Sequence, residues 1–154
     1  MRSKTDINKA LDAASLVCQR QNKRLTEQRR QILSLILETQ SPATAYQLLD
    51  ELKQTHQPNA QPPTIYRALE FLLDVGLVHR IEANNTYLAC DHIQCAHEHQ
   101  PTQFLLCDVC GGATETTVKP EQIQAMEESA AQYGFVLNKR SLELHGTCEH
   151  CLSN

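Results

Sequence analysis

Pro62-Pro63-Thr64-Ile65-Tyr66-Arg67-Ala68-Leu69-Glu70-Phe71-Leu72-Leu73-Asp74-Val75-Gly76 runs straight into Leu77–Glu82, Ala83-Asn84-Asn85 and Thr86–Cys90, and this stretch decides the fold. The two prolines fit the first turn of a helix, where backbone N–H groups have no intrahelical acceptor. Ile65, Leu69, Leu72 and Leu73 then recur at helical spacing, and Gly76 supplies a left-handed stop. The next two runs alternate apolar and polar residues around an Asn-Asn turn, which predicts a β-hairpin. A helix that feeds directly into a hairpin is the second half of a winged helix.

Upstream, Asp6 is expected to cap a first helix that carries Ile7, Ala10, Leu11, Ala14, Val17 and Cys18 on one face. Thr26 caps a second, with Ile32, Leu33, Leu35, Ile36 and Leu37 as its apolar positions. Ser41-Pro42 breaks the chain and starts a third, whose buried face is read as Tyr46, Leu48, Leu49 and Leu52. Residues 1–90 thus form a winged helix-turn-helix. Residues 91–102, rich in His, Gln and Pro and without periodicity, read as a hinge. Residues 103–154 form a small α/β domain: strands at Phe104–Leu106 and Ala113–Val118, a helix at Gln122–Tyr133, and a long final strand at Phe135–Leu144. The fold class is α+β. A piece of about 50 residues has too small a core to stand alone and calls for a metal or a second chain.

The net charge of −4 argues against a nucleic-acid binder, but it averages over an asymmetry. Residues 1–83 carry 11 Lys+Arg against 9 Asp+Glu, and residues 84–154 carry 3 against 9. Arg20, Lys23, Arg24, Arg29 and Arg30 cluster in the front half. Division of labour fits this pattern, with an anionic partner in front and cations behind, but on charge alone ordinary solvated helix faces fit it better. No apolar stretch approaches the ~20 residues of a membrane span and no signal core follows Met1, so a cytoplasmic location is expected. In that compartment paired cysteines read as metal ligands or redox thiols.

Cys107-Asp108-Val109-Cys110 and Cys148-Glu149-His150-Cys151 are such pairs. A two-residue gap lets both sulfurs turn toward one point, and two such knuckles close a tetrahedral all-sulfur zinc site with no position left for water. The competing reading is a redox dithiol, which usually occurs once and opens a helix after a buried strand. Here the motif occurs twice, and one copy is followed by Gly111-Gly112.

Further candidate ligands gather around the hinge: His79, Cys90, His97, His99 and Glu115. Singly, each has a plain explanation as a surface histidine, a small buried hydrophobe or a solvated carboxylate. Together they make a mixed S/N/O set that suits zinc better than ferrous iron or a hard cation. In the helix that opens with Pro62-Pro63, Thr64, Tyr66 and Arg67 occupy the turns that reach base edges in a recognition helix, and Arg67 suits a bidentate bond to guanine. The alternative packs Tyr66 in the core and pairs Arg67 with Glu70 or Asp74.

Over nearly its whole length the chain resembles the ferric-uptake-regulator family of bacterial metal-responsive repressors, and within it the zinc-uptake branch. The resemblance is carried by Arg24-Leu25-Thr26-Glu27-Gln28-Arg29, Pro62-Pro63-Thr64-Ile65-Tyr66-Arg67-Ala68-Leu69, Gly76-Leu77-Val78-His79, Cys107-Asp-Val-Cys110-Gly and His145-Gly146-Thr147-Cys148-Glu-His-Cys151. It implies a non-enzymatic, DNA-binding homodimer whose C-terminal domain dimerises. It also implies two zinc ions per chain: a structural ion on Cys107, Cys110, Cys148 and Cys151, and a sensing ion on His79, Cys90, a linker histidine (His99 preferred over His97) and Glu115. Cys90 points to the zinc branch, since iron-sensing relatives usually use histidine and carboxylate there. Glu27 stands where the family usually has proline. Asp50 and Lys53 match positions that pair between adjacent dimers on DNA, with Lys giving a weaker link than arginine. Cys95, His92, His145 and His150 are left without an assigned role.

The implied mechanism is repression of zinc-uptake genes when zinc is plentiful. Zinc at the hinge orders the dimer so that its two recognition helices reach successive major grooves, ~34 Å apart. Moving the competent arrangement from ~1% to ~99% takes ~5.5 kcal/mol of differential binding. The alternatives are a regulator of the same family that senses ferrous iron, manganese or peroxide, and, more remotely, a zinc or thiol enzyme. Against the enzyme, the chain has no HExxH or HxE…CxxC arrangement.

Overall fold

The computed structural model describes residues 3–39, 41–93, 102–138 and 142–153. The chain divides into two compact units, Met1–Ala96 and His97–Asn154. No described helix is long and apolar enough to cross a membrane.

Unit 1 begins with α1 (Lys4–Arg20). Its cap is Ser3, three residues ahead of the expected Asp6. Asp6 is instead the reciprocal partner: its N–H donates to Ser3 Oγ at 3.2 Å, while its carboxylate accepts from the Ser3 N–H at 3.3 Å. The Ser3 hydroxyl, which donates to the same carboxylate at 2.6 Å, and then the Ser3 N–H favour the ionised form and hold its pKa below the ordinary value. Asn22, at φ 54°, ends the helix, and the Lys23 N–H returns to the Cys18 carbonyl at 2.9 Å. Helix α2 (Glu27–Glu38) starts at Thr26 as expected.

A two-residue strand that sequence periodicity does not register, β1 (Ala43–Thr44), precedes α3 (Ala45–Thr55). Thr44 closes a capping box with Gln47. Leu48, Leu49 and Leu52 are buried, but Tyr46 is 67% exposed, and Ala45 takes the inward place expected of it. Helical geometry explains the change, because 45, 48, 49 and 52 share a face that 46 does not.

Helix α4 (Pro62–Asp74) buries Ile65, Ala68, Leu69 and Leu72, with Leu73 only half-buried. At its end Gly76 (φ 75°) donates to the Leu73 carbonyl at 3.0 Å and Leu77 donates to Leu72 at 2.9 Å. This left-handed turn swings the chain from helix to hairpin and packs Leu77 beside Leu72. The hairpin is β2 (Val78–Ile81) with β3 (Thr86–Ala89), antiparallel, and β1 lies on the other edge of β3. One continuous apolar core joins all four helices to this small sheet.

Unit 2 is built on β4 (Thr102–Cys107), flanked by antiparallel β5 (Ala113–Thr117) and parallel β6 (Leu142–Gly146). The crossover between β5 and β6 contains α5 (Pro120–Ala131), and α6 (Glu149–Leu152) is a single turn. Of the expected final strand Phe135–Leu144, the described residues 135–138 lie outside any strand and Leu142–Leu144 lie in β6, which runs on to Gly146. Gly134, at φ 75°, turns the chain after α5, and Phe135 and Val136 stand exposed outside the ladder. Among the described residues of this unit, only Phe104, Leu106, Cys107 and Val118 are buried, and no residue of α5 is. Leu105 and Leu144, paired in the β4–β6 register, stay exposed on one sheet face. A face of this kind asks for a cover.

Candidate metal sites and recognition helix

The parallel β4–β6 register ends at Cys107↔Gly146, so the strands deliver the two cysteine pairs to the same end of the sheet. Pairing continues past that point: the Asp108 N–H donates to the Gly146 carbonyl at 2.9 Å, and Asp108 Oδ1 lies 2.7 Å from His145 Nδ1. The first knuckle folds back at Gly111 (φ 70°), whose N–H returns to the Cys107 carbonyl at 2.9 Å. The second is the opening turn of α6, with the Cys151 N–H on the Cys148 carbonyl at 3.0 Å.

Sulfur atoms of Cys107, Cys110, Cys148 and Cys151 all lie within 4.8 Å of one another. The Cys110–Cys148 separation is 3.9 Å. Zinc–sulfur bonds of ~2.3 Å give a regular tetrahedron with edges of ~3.8 Å, so the donor set fits zinc. Its electrostatics also fit. Backbone N–H groups of Cys110, Cys148 and Val109 point at the Cys107 sulfur and lower its pKa to about 6; the Cys148 N–H is 3.3 Å away. Hydrogen bonding to Cys148 pushes the Cys151 thiol up to about 12.

In unit 1 the hairpin brings His79 and Cys90 together. Cys90 follows β3, and its N–H donates to the Leu77 carbonyl at 3.1 Å. Opposite Leu77, it therefore shares a sheet face with His79, two residues further along β2. An imidazole nitrogen of His79 and the Cys90 sulfur lie within 4.8 Å of each other. Cys90 is 2% exposed and His79 half-buried. Glu115, in unit 2, sits on β5 opposite Phe104 and is half-buried. His97, His99 and Cys95 lie outside the described residues, as does most of the expected hinge.

On α4, Tyr66 is 43% exposed, Arg67 is exposed and Thr64 is half-buried. The alternative in which Tyr66 packs in the core is therefore excluded, and Asp74 pairs with Lys23 rather than with Arg67. Sequence reasoning missed the tie between Asp108 and His145, whose only trace is that each sits close to a knuckle.

Comparison with known proteins agrees with this geometry. The ferric uptake regulator family model matches residues 20–145. The chain is 38% identical over 149 residues to the zinc uptake regulation protein of Escherichia coli, covering 97% of this chain and 85% of that one. It is 31% identical over 134 residues to the zinc uptake regulation protein of Mycobacterium tuberculosis, covering 84% and 95%. A solved zinc uptake regulator complexed with zinc and DNA superposes with a TM-score of 0.84 at 34% identity, covering 99% of this chain and 97% of that one. A winged helix followed by a knuckle-bearing sheet unit, matched across nearly the full length, means that this chain belongs to the ferric uptake regulator family.

Proposed function

We propose that the protein is a zinc-responsive transcriptional repressor that binds operator DNA as a homodimer and represses zinc-uptake genes. One observation carries the reading. The hairpin of a winged helix whose recognition helix exposes Tyr66 and Arg67 also holds a buried cysteine and a histidine within ligand distance of each other. The thiolate–imidazole combination favours zinc over the hard cations and supports the zinc branch.

Cys107, Cys110, Cys148 and Cys151 hold one ion and tie the end of β6 to the end of β4. His79 and Cys90, with His99 and Glu115 as the resemblance implies, hold a second, giving two per chain. Zinc bound to that second set supplies a bond set shared by the wing and the C-terminal part of the chain, and this restricts how the reading heads stand. Thr64, Tyr66 and Arg67 read the major groove, Arg67 by its planar fork. The unburied α5, together with Leu105 and Leu144, supports a homodimer, because a second copy is the cover such a face needs. Asp50 and Lys53 on α3 are proposed to pair between dimers on DNA. The family's role as transcription regulators supports a non-enzymatic function, and the domain limits are proposed as 1–90, 91–102 and 103–154.

The test is selection of duplexes from a random-sequence library by the full-length protein in buffered zinc, ferrous iron or manganese. A single preferred sequence that needs zinc is the expected result. Selection driven by iron or manganese, or none with any metal, refutes the proposal.

A further inference from the structure

Five basic residues, Arg20, Lys23, Arg24, Arg29 and Arg30, flank the α1–α2 connection, and charge alone would send them all to DNA phosphates. Unit 1 uses three of them internally. The Arg29 guanidinium lies 3.6 Å from the centroid of the Phe71 ring on α4, and its Nη1 donates to the Arg24 carbonyl at 3.0 Å. Lys23 pairs with Asp74, the last residue of α4. Arg30 Nη2 reaches Asp12 Oδ1 at 3.1 Å. A further contact joins the group: Gln21 Nε2 donates to the carbonyl of Val75, the C-cap of α4, at 3.1 Å.

Three of these contacts, Arg29 on Phe71, Lys23 on Asp74 and Gln21 on Val75, converge on α4. Phe71, Asp74 and Val75 form the C-terminal end of α4, and the residues that hold them come from the turn after α1 or the first turn of α2. The opposite end, which carries Thr64, Tyr66 and Arg67, begins at Gln61 without a side-chain cap bond. At ~1.5 Å per residue the grip sits ~6–12 Å along the axis from Arg67, outside the groove-facing turn. A base-reading side chain works only if its helix is held to within ~0.5 Å and ~10–20°. The reading end of α4 is held by the burial of Ile65, Ala68 and Leu69, while among the described residues the side-chain polar and ring contacts named above grip its far end, at three residues.

We propose that Arg29 on Phe71 and Lys23 on Asp74 form a clamp that sets the pose of the recognition helix, acting as positioning residues and not as phosphate ligands. The inference rests on the DNA-binding reading above and deepens it. The two roles differ in charge bookkeeping. A cation bound to phosphate adds to affinity for every sequence and steepens the salt dependence, whereas a positioning group acts only on the sequence-specific part.

The experiment uses full-length, zinc-loaded protein, the duplex it selects from a random library, and a scrambled duplex of the same composition. Affinities for both are measured across a range of salt concentrations. Arg29→Ala and Phe71→Leu should each lower the ratio of selected to scrambled affinity by about tenfold, the loss expected of one misplaced base contact. The salt slope should stay unchanged. Asp74→Asn gives opposite signs under the two roles: freeing Lys23 would strengthen binding if it were a phosphate ligand, and should weaken specific binding if it is part of the clamp.

A slope lowered by ~1 in Arg29→Ala, with both duplexes weakened alike and Phe71→Leu neutral, overturns the proposal. So does a lowered melting temperature with an unchanged affinity ratio in Phe71→Leu and Asp74→Asn. Should Arg29→Ala fail to fold by circular dichroism, Arg29→Lys, Phe71→Leu and Asp74→Asn carry the same test. Unmodified protein that selects no duplex overturns the DNA-binding reading and the clamp with it; selection retained with ratios unmoved overturns the clamp alone.

Discussion

The two glycines after the first knuckle, Gly111 and Gly112, separate backbone strain from metal geometry at one site. Gly111 sits at φ 70°, and a Cβ there meets nothing within 4 Å, so Gly111→Ala is opposed by conformation alone. The left-handed region costs an alanine ~1–2 kcal/mol, and the stiffer unfolded chain returns ~0.4–1. The net of about 1 kcal/mol should lower the melting temperature of unit 2, a piece of about 60 residues, by roughly 4–8 °C. Gly112 carries no such strain, but a Cβ there would stand 3.3 Å from the Cys110 sulfur, so that sulfur must give by a few tenths of an ångström. Metal–ligand distances tolerate only about 0.2 Å, so Gly112→Ala should disturb the metal site itself. Cobalt-substituted protein reads the difference through its thiolate charge-transfer band, and a chromophoric chelator times metal release. Gly111→Ala should melt early with an unaltered cobalt spectrum; Gly112→Ala should shift the spectrum and release zinc faster. Exchanged phenotypes, or normal melting of Gly111→Ala, would refute the assignment of the knuckle geometry.

Three other outcomes follow from the site. Cys90→Ser should leave a folded dimer that keeps its all-sulfur ion yet no longer tightens on DNA when zinc is added, whereas Cys107→Ser should weaken the fold or the dimer; identical behaviour would merge the two sites into one. Arg67→Ala should cost ~1–3 kcal/mol of specific binding and relax preference at one base position, read by competition among single-base variants of the selected duplex. The pH dependence has a defined sign for each thiol of the metal-free protein. The folded pKa of Cys107 is depressed to about 6, so its stabilisation is present above the unfolded value near 9 and is lost as pH falls through about 6. The Cys151 value is raised to about 12, so its contribution is present below about 9 and lost as pH rises toward 12. Near neutrality Cys107 is then largely thiolate while Cys151 is protonated. Zinc uptake should therefore release protons, Cys151's among them, and calorimetry in buffers of different ionisation enthalpy would show it. No buffer dependence would contradict these protonation states.

Legibility in the sequence followed periodicity and spacing. Helices α2 and α4 and the hairpin were readable because cap, apolar repeat and stop all agree: Thr26 before α2, Pro62-Pro63 and Gly76 around α4. The four knuckle cysteines were readable because a two-residue gap leaves few alternatives. Boundaries failed where a local rule had a stronger competitor. Ser3 outbids Asp6 as cap because Asp6 serves better as its partner three residues on. Tyr46 looked apolar enough to bury, but its angular position on α3 faces outward. The expected strand does not form over Phe135-Val136-Leu137 because apolar content alone does not pair a strand, and those residues lie outside the ladder. Strand β1 is too short for any periodicity. The clamp on α4 was illegible for another reason. Nothing in a run of basic residues says which will turn inward, and the acceptors at Phe71, Asp74 and Val75 are about 50 positions away.

The central claim is that a second zinc ion, held through Cys90, and not the all-sulfur ion, switches DNA binding. The direct measurement is affinity for the selected duplex across buffered free zinc, with metal per chain determined at every point. Affinity should rise as occupancy climbs from one ion per chain to two. Affinity that is already maximal with one ion, or that stays flat while the second binds, would contradict it.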